Sequence, residues 1–149
     1  MLRPKKKPPP SARKRYVLNE QVGFLLRVAM QRHTTIFTAR MIEELTQTQF
    51  AALAKLLEAG PCSQNHLGRL IYLDAATIKG VVDRLRARGL VATAGDASDR
   101  RRRAVTLTPT GRRVTEGAIA VAAQITAQTF APLSPQEQRA VVRLFKKLG

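Results

Sequence analysis

The sequence predicts a mainly α-helical fold that carries one small β-hairpin. Over most of residues 18–148, apolar side chains recur every three or four positions, the period of helices that bury one face. Between residues 90 and 108 this period gives way to two short β-prone segments, residues 90–93 and 104–108. The segments flank a polar, charged stretch, so we expect two strands joined by an exposed tip, with helices before and after them.

Composition limits the classes of protein that remain. The chain has 149 residues, with 26 Lys+Arg against 10 Asp+Glu and a formal net charge of +16, which indicates a polyanionic partner. No apolar stretch is long enough to span a membrane, and the N-terminus lacks the apolar core of a secretory signal. A single cysteine, Cys62, and two histidines, His33 and His66, exclude a disulfide framework and leave little for a metal site. We expect a soluble cytoplasmic protein without cofactor or metal.

The first fifteen residues form a segment of their own. Every charged residue among them is basic, and Pro4 and the run Pro8, Pro9 and Pro10 disfavour a helix. We therefore predict a disordered basic arm over residues 1–15, followed by one domain over residues 16–149. The arm is either a contact for DNA phosphates or a solvated tail without a specific partner.

The first two helices have recognisable boundaries. The apolar period over residues 18–44 predicts one long helix, with Asn19 as its candidate N-cap. Thr46 and Gln49 have the spacing of a capping box that opens a second helix, and Gly60 ends it.

Two further helices follow within thirty residues. Ser63 is the expected N-cap of a short helix over residues 64–72, and Asp74 of the next one, which Gly89 ends in a left-handed conformation. The inward-facing residues of that next helix are expected to be Ile78, Val81, Val82 and Leu85.

Two long helices close the chain. Pro109 is suited to the first turn of a helix that runs to about residue 130, and Ser134 with Glu137 forms a capping box for the last helix. The last helix is expected to turn five apolar residues inward: Val141, Val142, Leu144, Phe145 and Leu148.

The order of short helix, tight turn, second helix and basic hairpin is that of a helix-turn-helix with a wing. In this arrangement the second helix lies in the major groove with its N-terminal residues at the base edges. Small or threonine side chains suit contacts with a thymine methyl group, and a lysine reaches a base acceptor or a phosphate. The candidate DNA contacts on the helices are Ser63, Gln64, Ala75, Ala76, Thr77, Lys79 and Arg84.

The tip of the hairpin concentrates positive charge. Four consecutive arginines repel one another unless an anion lies between them, and an arginine on a thin protrusion can enter the narrow, negative minor groove. Asp99 is the expected brace that fixes the direction of a guanidinium. The candidate DNA contacts on the wing are Arg100, Arg101, Arg102 and Arg103.

Three stretches resemble the MarR family of winged helix-turn-helix transcriptional regulators. Residues 99–112, D-R-R-R-R-A-V-T-L-T-P-T-G-R, resemble its wing signature D-R-R-x-x-x-V-x-L-T-x-x-G. Residues 76–91, A-T-I-K-G-V-V-D-R-L-R-A-R-G-L-V, resemble its recognition helix, and residues 45–53, L-T-Q-T-Q-F-A-A-L, the opening of its second helix. Gly80 departs from the pattern, because many relatives have an arginine or lysine there; this shifts the expected base contacts to Thr77 and Lys79.

The resemblance implies a homodimer that binds a pseudo-palindromic operator in double-stranded DNA. It implies a DNA-binding lobe over about residues 46–110 and dimerisation helices over residues 18–44 and 111–149. The apolar faces of those terminal segments exceed what one small winged helix can cover, which favours dimerisation independently.

The resemblance also implies a repressor released by a small anionic aromatic effector, as in the branch that controls aromatic catabolism. An imidazole beside an aromatic ring can hydrogen-bond a phenol, and an arginine can hold a carboxylate or a phosphate. We expect an aromatic acid or its coenzyme A thioester, held by Arg27, His33, Phe37 and Arg40. Redox sensing through Cys62 is the weaker alternative, since the chain has no second cysteine and the family's sensing cysteines lie elsewhere.

Two other classes of protein agree less well with the sequence. The sequence has no nucleophile elbow, no glycine-rich phosphate loop and no zinc-protease motif, so we do not expect an enzyme. The stronger rival is a nonspecific architectural protein that binds nucleic acid by charge alone, which salt dependence and sequence preference would distinguish.

Overall fold

The computed structural model describes residues 15–95 and 103–149. Within these ranges the chain is mostly helical with one antiparallel hairpin, which confirms the predicted fold class. The helices are α1 Val22–Arg40, α2 Gln47–Ala59, α3 Gln64–Leu70, α4 Ala75–Ala87, α5 Pro109–Thr129 and α6 Pro135–Leu148. The strands are β1 Val91–Ala94 and β2 Ala104–Leu107. The chain divides into two compact units, Met1–Gln31 and Arg32–Gly149.

Side-chain caps begin the helices of the central lobe, as the sequence predicts. The Thr46 hydroxyl accepts a hydrogen bond from the backbone N–H of Gln49 at 3.2 Å, and the Gln49 side chain completes the capping box. The Ser63 hydroxyl caps α3 and the Asp74 carboxylate caps α4 in the same way. Because a cap satisfies a donor that the helix itself leaves unpaired, each start is specified locally.

The first helix is shorter than predicted. It spans Val22–Arg40 instead of residues 18–44, and Asn19 lies in a separate 3₁₀ turn rather than at its N-cap. At the other end, Glu43 and Glu44 have φ angles of 56° and 51°, in the left-handed region that side chains other than glycine rarely adopt. The guanidinium of Arg88 donates to the Glu43 carbonyl at 2.6 Å, which stabilises this break from a position 45 residues away.

The core lies between α2, α3, α4 and the hairpin. Ile78, Val82 and Leu85 of α4 are fully buried and Val81 nearly so, as predicted. They pack in the cluster that contains Leu53 of α2. Complete burial of a side chain of this size stabilises the fold by about 1.5–3 kcal/mol. The opposite face of α4 is therefore left for solvent or a ligand.

The hairpin has a third backbone partner that the sequence pattern does not reveal. β1 pairs with β2 from Val91 opposite Leu107 to Ala94 opposite Ala104. Val105 of β2 also exchanges two backbone hydrogen bonds with Cys62, at 2.7 and 3.3 Å. The loop before α3 is thereby joined to the wing, so helix-turn-helix and hairpin form one body.

The last helix exposes the residues that were expected to face inward. Val142, Leu144, Phe145 and Leu148 are between 43% and 73% exposed, and α6 has no fully buried residue. These four side chains do not pack inward within the described chain, and their exposure agrees with the expectation that the terminal apolar faces exceed what one small winged helix can cover. The capping box of Ser134 and Glu137 is present, so the helix forms as expected. Its apolar face is not covered by the rest of the described chain.

A close backbone approach joins the segment between α4 and β1 to α5. A Cβ atom built on Gly111 would lie 1.8 Å from the carbonyl oxygen of Leu90, so only glycine fits there. The Thr108 hydroxyl donates to the Gly89 carbonyl at 2.6 Å and accepts from the Gly111 N–H at 2.9 Å. Thr108 therefore caps α5 and ties it to the end of α4.

Replacing Gly111 by alanine should destabilise the fold by about 3 kcal/mol, because the new methyl group displaces the backbone of Leu90. Chemical denaturation at equal protein concentration measures the loss. Gly80→Ala is the matched control, since its Cβ would meet only the Arg84 guanidinium at 3.5 Å; it should raise stability by about 0.5–1 kcal/mol. Equal effects of the two substitutions would contradict this account.

Candidate nucleic-acid interface

A basic cleft lies between the helix-turn-helix and the root of the wing. Its volume is about 670 Å³, and four cationic side chains line it. They come from α3, α4 and the segment entering β2: Arg69, Lys79, Arg86 and Arg103. Three polar residues of α3 and its cap also line it: Ser63, Gln64 and Asn65. Side chains of this kind supply most phosphate contacts in protein–DNA complexes.

The predicted contacts divide into three groups. Ser63, Gln64, Lys79 and Arg103 line the cleft, although the Ser63 hydroxyl also accepts the capping bond from His66. Exposed residues outside its lining are Ala75, Ala76, Thr77 and Arg84 of α4. The predicted wing contacts Arg100, Arg101 and Arg102 and the brace Asp99 lie outside the described residues, as does the arm up to Lys14.

An acidic residue organises the cations of α4. Asp83 accepts a hydrogen bond from the Lys79 ammonium group at 2.7 Å and one from the Arg86 guanidinium at 3.2 Å. The hydrogen bond from Lys79 holds the pKa of the Asp83 carboxyl below its usual value. Exposed pairs of this kind add little stability, so their consequence is orientation.

The same arginine reaches the wing. Arg86 donates to the Thr93 hydroxyl of β1 at 2.8 Å, so a chain of contacts runs from Lys79 through Asp83 to the hairpin. The spacing of four and three residues could have suggested the helical part of this chain, because such positions share a helix face. Its last step, to Thr93, depends on the tertiary fold.

Four polar residues that line the cleft were not among the predicted contacts. Arg69 and Asn65 face it from α3, while Arg86 and Thr93 face it from α4 and β1. Their types are ordinary for exposed surface, and only the packing of α3 against α4 and the hairpin brings them together.

Of the four residues predicted to hold an effector, two line a common cavity. His33 and Phe37 line a cavity of about 210 Å³ together with Gln47, Phe50 and residues of α5. The Nδ1 atom of His33 lies 2.9 Å from the Thr129 hydroxyl, which occupies one of its two ring nitrogens. The His33 and Phe37 ring centroids are 6.3 Å apart.

The two predicted arginines are engaged elsewhere. Arg40 donates to the side-chain oxygen of Gln128 and does not line the cavity. Arg27 belongs to the Met1–Gln31 unit, where its guanidinium lies 5.3 Å from the centre of the Phe24 ring. Arg32, a third arginine close to His33 in sequence, donates to the carbonyl of Gln128 at 2.8 Å and to that of Thr129.

Cys62 has a structural place. Its backbone pairs with Val105, and burial raises the pKa of its half-buried thiol, which disfavours the reactive thiolate. No group of metal-ligating side chains occurs in the described ranges, and no helix there is long and apolar enough to cross a membrane.

Comparison with known proteins finds regulators of transcription. A model of the MarR family matches residues 45–102. The HTH-type transcriptional repressor NicR of Pseudomonas putida is 41% identical over 134 residues, which cover 89% of this chain and 85% of NicR.

Two solved structures are similar over most of the chain. A probable transcriptional regulator from Pseudomonas aeruginosa has a TM-score of 0.85 and 49% identity, covering 89% of this chain and 100% of that one. BpsR of Bordetella bronchiseptica, whose DNA binding is regulated by 6-hydroxynicotinic acid, has a TM-score of 0.83 and 44% identity, covering 90% and 96%.

Lys79→Ala should weaken binding to a random-sequence DNA duplex and reduce the salt slope of log K by about 1, because one phosphate contact is lost. Fluorescence anisotropy over a range of salt concentrations measures both. Lys55→Ala is the matched control: Lys55 also forms an ion pair, with Glu58 at 2.9 Å, but lies outside the cleft. An unchanged slope for Lys79→Ala, or an equal change in the control, would argue against the cleft as a phosphate site.

Proposed function

The chain belongs to the MarR family of transcriptional regulators, and from that premise we propose that it is a sequence-specific repressor that an aromatic acid releases from its operator. The observation that carries the DNA-binding part is the basic cleft beside α4. The cleft supplies the phosphate contacts that position a reader on the duplex, and the exposed start of α4 supplies the groups that read bases.

The N-terminal turn of α4 suits the major groove. Ala75, Ala76 and Thr77 are exposed there, while Ile78 turns into the core. The Asp74 carboxylate accepts from the Thr77 N–H at 2.7 Å, which lowers the pKa of Asp74 and fixes the first turn. We expect Thr77 and the alanine methyl groups to contact bases and Lys79 to leave Asp83 for a base acceptor or a phosphate.

A homodimer completes the proposal. The exposed apolar face of α6 requires a cover, and Val142 and Phe145 are about half exposed on it. In the other unit, Val22 and Met30 of α1 are 70% and 55% exposed. A symmetric second copy would bury such faces and place two recognition helices about one helical turn of DNA apart.

The effector belongs to the cavity beside His33. NicR is named a repressor, and 6-hydroxynicotinic acid regulates the DNA binding of BpsR. At about 210 Å³ the cavity is smaller than the ~300–1,000 Å³ that drug-sized ligands occupy, so it suits a single aromatic ring better than a coenzyme A thioester. His33 would hydrogen-bond a ring substituent while Phe37 and Phe50 pack against the ring.

Two arginines at the end of α5 are the candidate partners for the effector's carboxylate. Both bind the C-terminal end of α5. Arg32 donates to the backbone carbonyls of Gln128 and Thr129, and Arg40 donates to the Gln128 side chain. A ligand carboxylate that displaced the Gln128 side chain would give Arg40 a charged partner in place of a neutral amide oxygen, and Arg–carboxylate pairs can form two parallel hydrogen bonds.

The rival function is nonspecific architectural binding of nucleic acid by charge alone. The net charge of +16 supports either function. A regulator prefers its operator over random DNA by about 4–10 kcal/mol, whereas binding by charge alone ignores sequence.

The function is tested with DNA from upstream of the protein's own gene. Fluorescence anisotropy near physiological salt, with excess random competitor, should detect binding that the competitor does not remove. Adding hydroxylated nicotinic and benzoic acids should release the DNA, whereas their coenzyme A thioesters should not. If random competitor DNA displaces the protein from this DNA and from every other sequence tested, the result would support the architectural alternative.

His33→Phe should weaken binding of the active acid at least about tenfold, because the ring volume stays and a hydrogen bond to a polar or charged group is lost. Isothermal titration calorimetry without DNA measures this directly. His66→Ala is the control, since His66 is exposed on α3 and does not line the cavity. Unchanged affinity in His33→Phe would place the effector elsewhere.

A further inference from the structure

Tyr72 stands out in the turn between α3 and α4. Its side chain is 88% exposed, the largest exposed fraction among the large apolar and aromatic side chains of the described residues. Its φ angle is 59°, in the left-handed region that favours glycine or asparagine. Tyrosine at this position therefore contributes nothing to the core and is not a residue that the left-handed backbone favours.

The turn is held firmly around it. The Leu73 N–H donates to the Gly68 carbonyl at 2.9 Å, and a Cβ on Gly68 would lie 3.0 Å from the Ile78 side chain. Helices α3 and α4 thus meet directly behind the turn. Because the packed helices leave no room for the turn to move toward the core, the exposed Tyr72 side chain stays directed outward.

The position of the turn points to a ligand. Tyr72 is three residues before Ala75, so the two Cα atoms lie within about 11 Å of each other. An α-helix with its side chains is about 10–12 Å wide and fills a major groove of about 12 Å, so the phosphates that wall the groove lie directly beside it.

We propose that Tyr72 is a DNA-backbone contact: its hydroxyl donates to a phosphate at the wall of the groove that α4 enters, and its ring packs against the adjacent deoxyribose. The proposal rests on the proposed function, because it takes duplex DNA as the ligand. The turn joins the two helices that carry Arg69 and Lys79, and these cationic residues of the basic cleft favour the same polyanion. Tyr72 would position α4 without reading sequence.

Three substitutions separate contact from conformation. Tyr72→Phe removes only the hydroxyl and should weaken binding to a random-sequence duplex about threefold or more. Tyr72→Ala and Tyr72→Gly both remove the ring, but only glycine relieves the left-handed backbone, so Tyr72→Gly should have the higher melting temperature. Both should bind DNA more weakly than Tyr72→Phe. If Tyr72→Gly binds as tightly as the wild type, the side chain is not a contact and the proposal fails.

The composition allows a direct spectroscopic test. The chain has two tyrosines, so Tyr16→Phe protein labelled with 3-fluorotyrosine carries a single fluorine reporter, at position 72. Its ¹⁹F resonance should shift when the random-sequence duplex is added at a concentration where anisotropy shows binding. Binding without a shift overturns the Tyr72 proposal and leaves the proposed function standing. Failure of the protein to bind any duplex overturns both.

Discussion

The architecture depends on the contact between Gly111 and the Leu90 carbonyl. No side chain fits between these two segments, and Thr108 closes the joint by bonding to both Gly89 and Gly111. The end of the recognition helix, the base of the wing and the start of α5 therefore meet at one point. A change in the direction of α5 would therefore displace the base of the wing.

Ion pairs and hydrogen bonds of the charged residues of α4 further connect this helix to the wing and to the segment before α2. Asp83 orients Lys79 and Arg86, and Arg86 reaches Thr93 on the hairpin, so these two cations of α4 are tied to the wing. Arg88, two residues further on at the C-cap of α4, binds the Glu43 carbonyl at the break between α1 and α2. The two arginines connect the recognition helix to its neighbours on both sides, and that makes its orientation a property of the whole lobe.

Features specified by neighbours in sequence were predictable, and features specified by distant contacts were not. The caps at Thr46, Ser63, Asp74 and Ser134 lie within three residues of the groups that they bind, and all four occur as predicted. The end of α1 depends on Arg88, and the place of Cys62 depends on Val105; no local pattern encodes either contact. For the site, the types and face of the α4 residues could be predicted, whereas the convergence of Asn65, Arg69 and Thr93 required the fold. The apolar pattern of α6 predicted the helix and its apolar face, and that face is exposed within the described chain.

Selection from a random-sequence DNA library distinguishes directly whether this lobe reads sequence or binds by charge alone. We expect an enriched motif of two inverted half-sites, centred about 10–10.5 base pairs apart, because a symmetric pair of recognition helices spans one turn of the duplex. Retention of DNA at low salt without an enriched motif would contradict the account and leave a protein that binds by its charge alone.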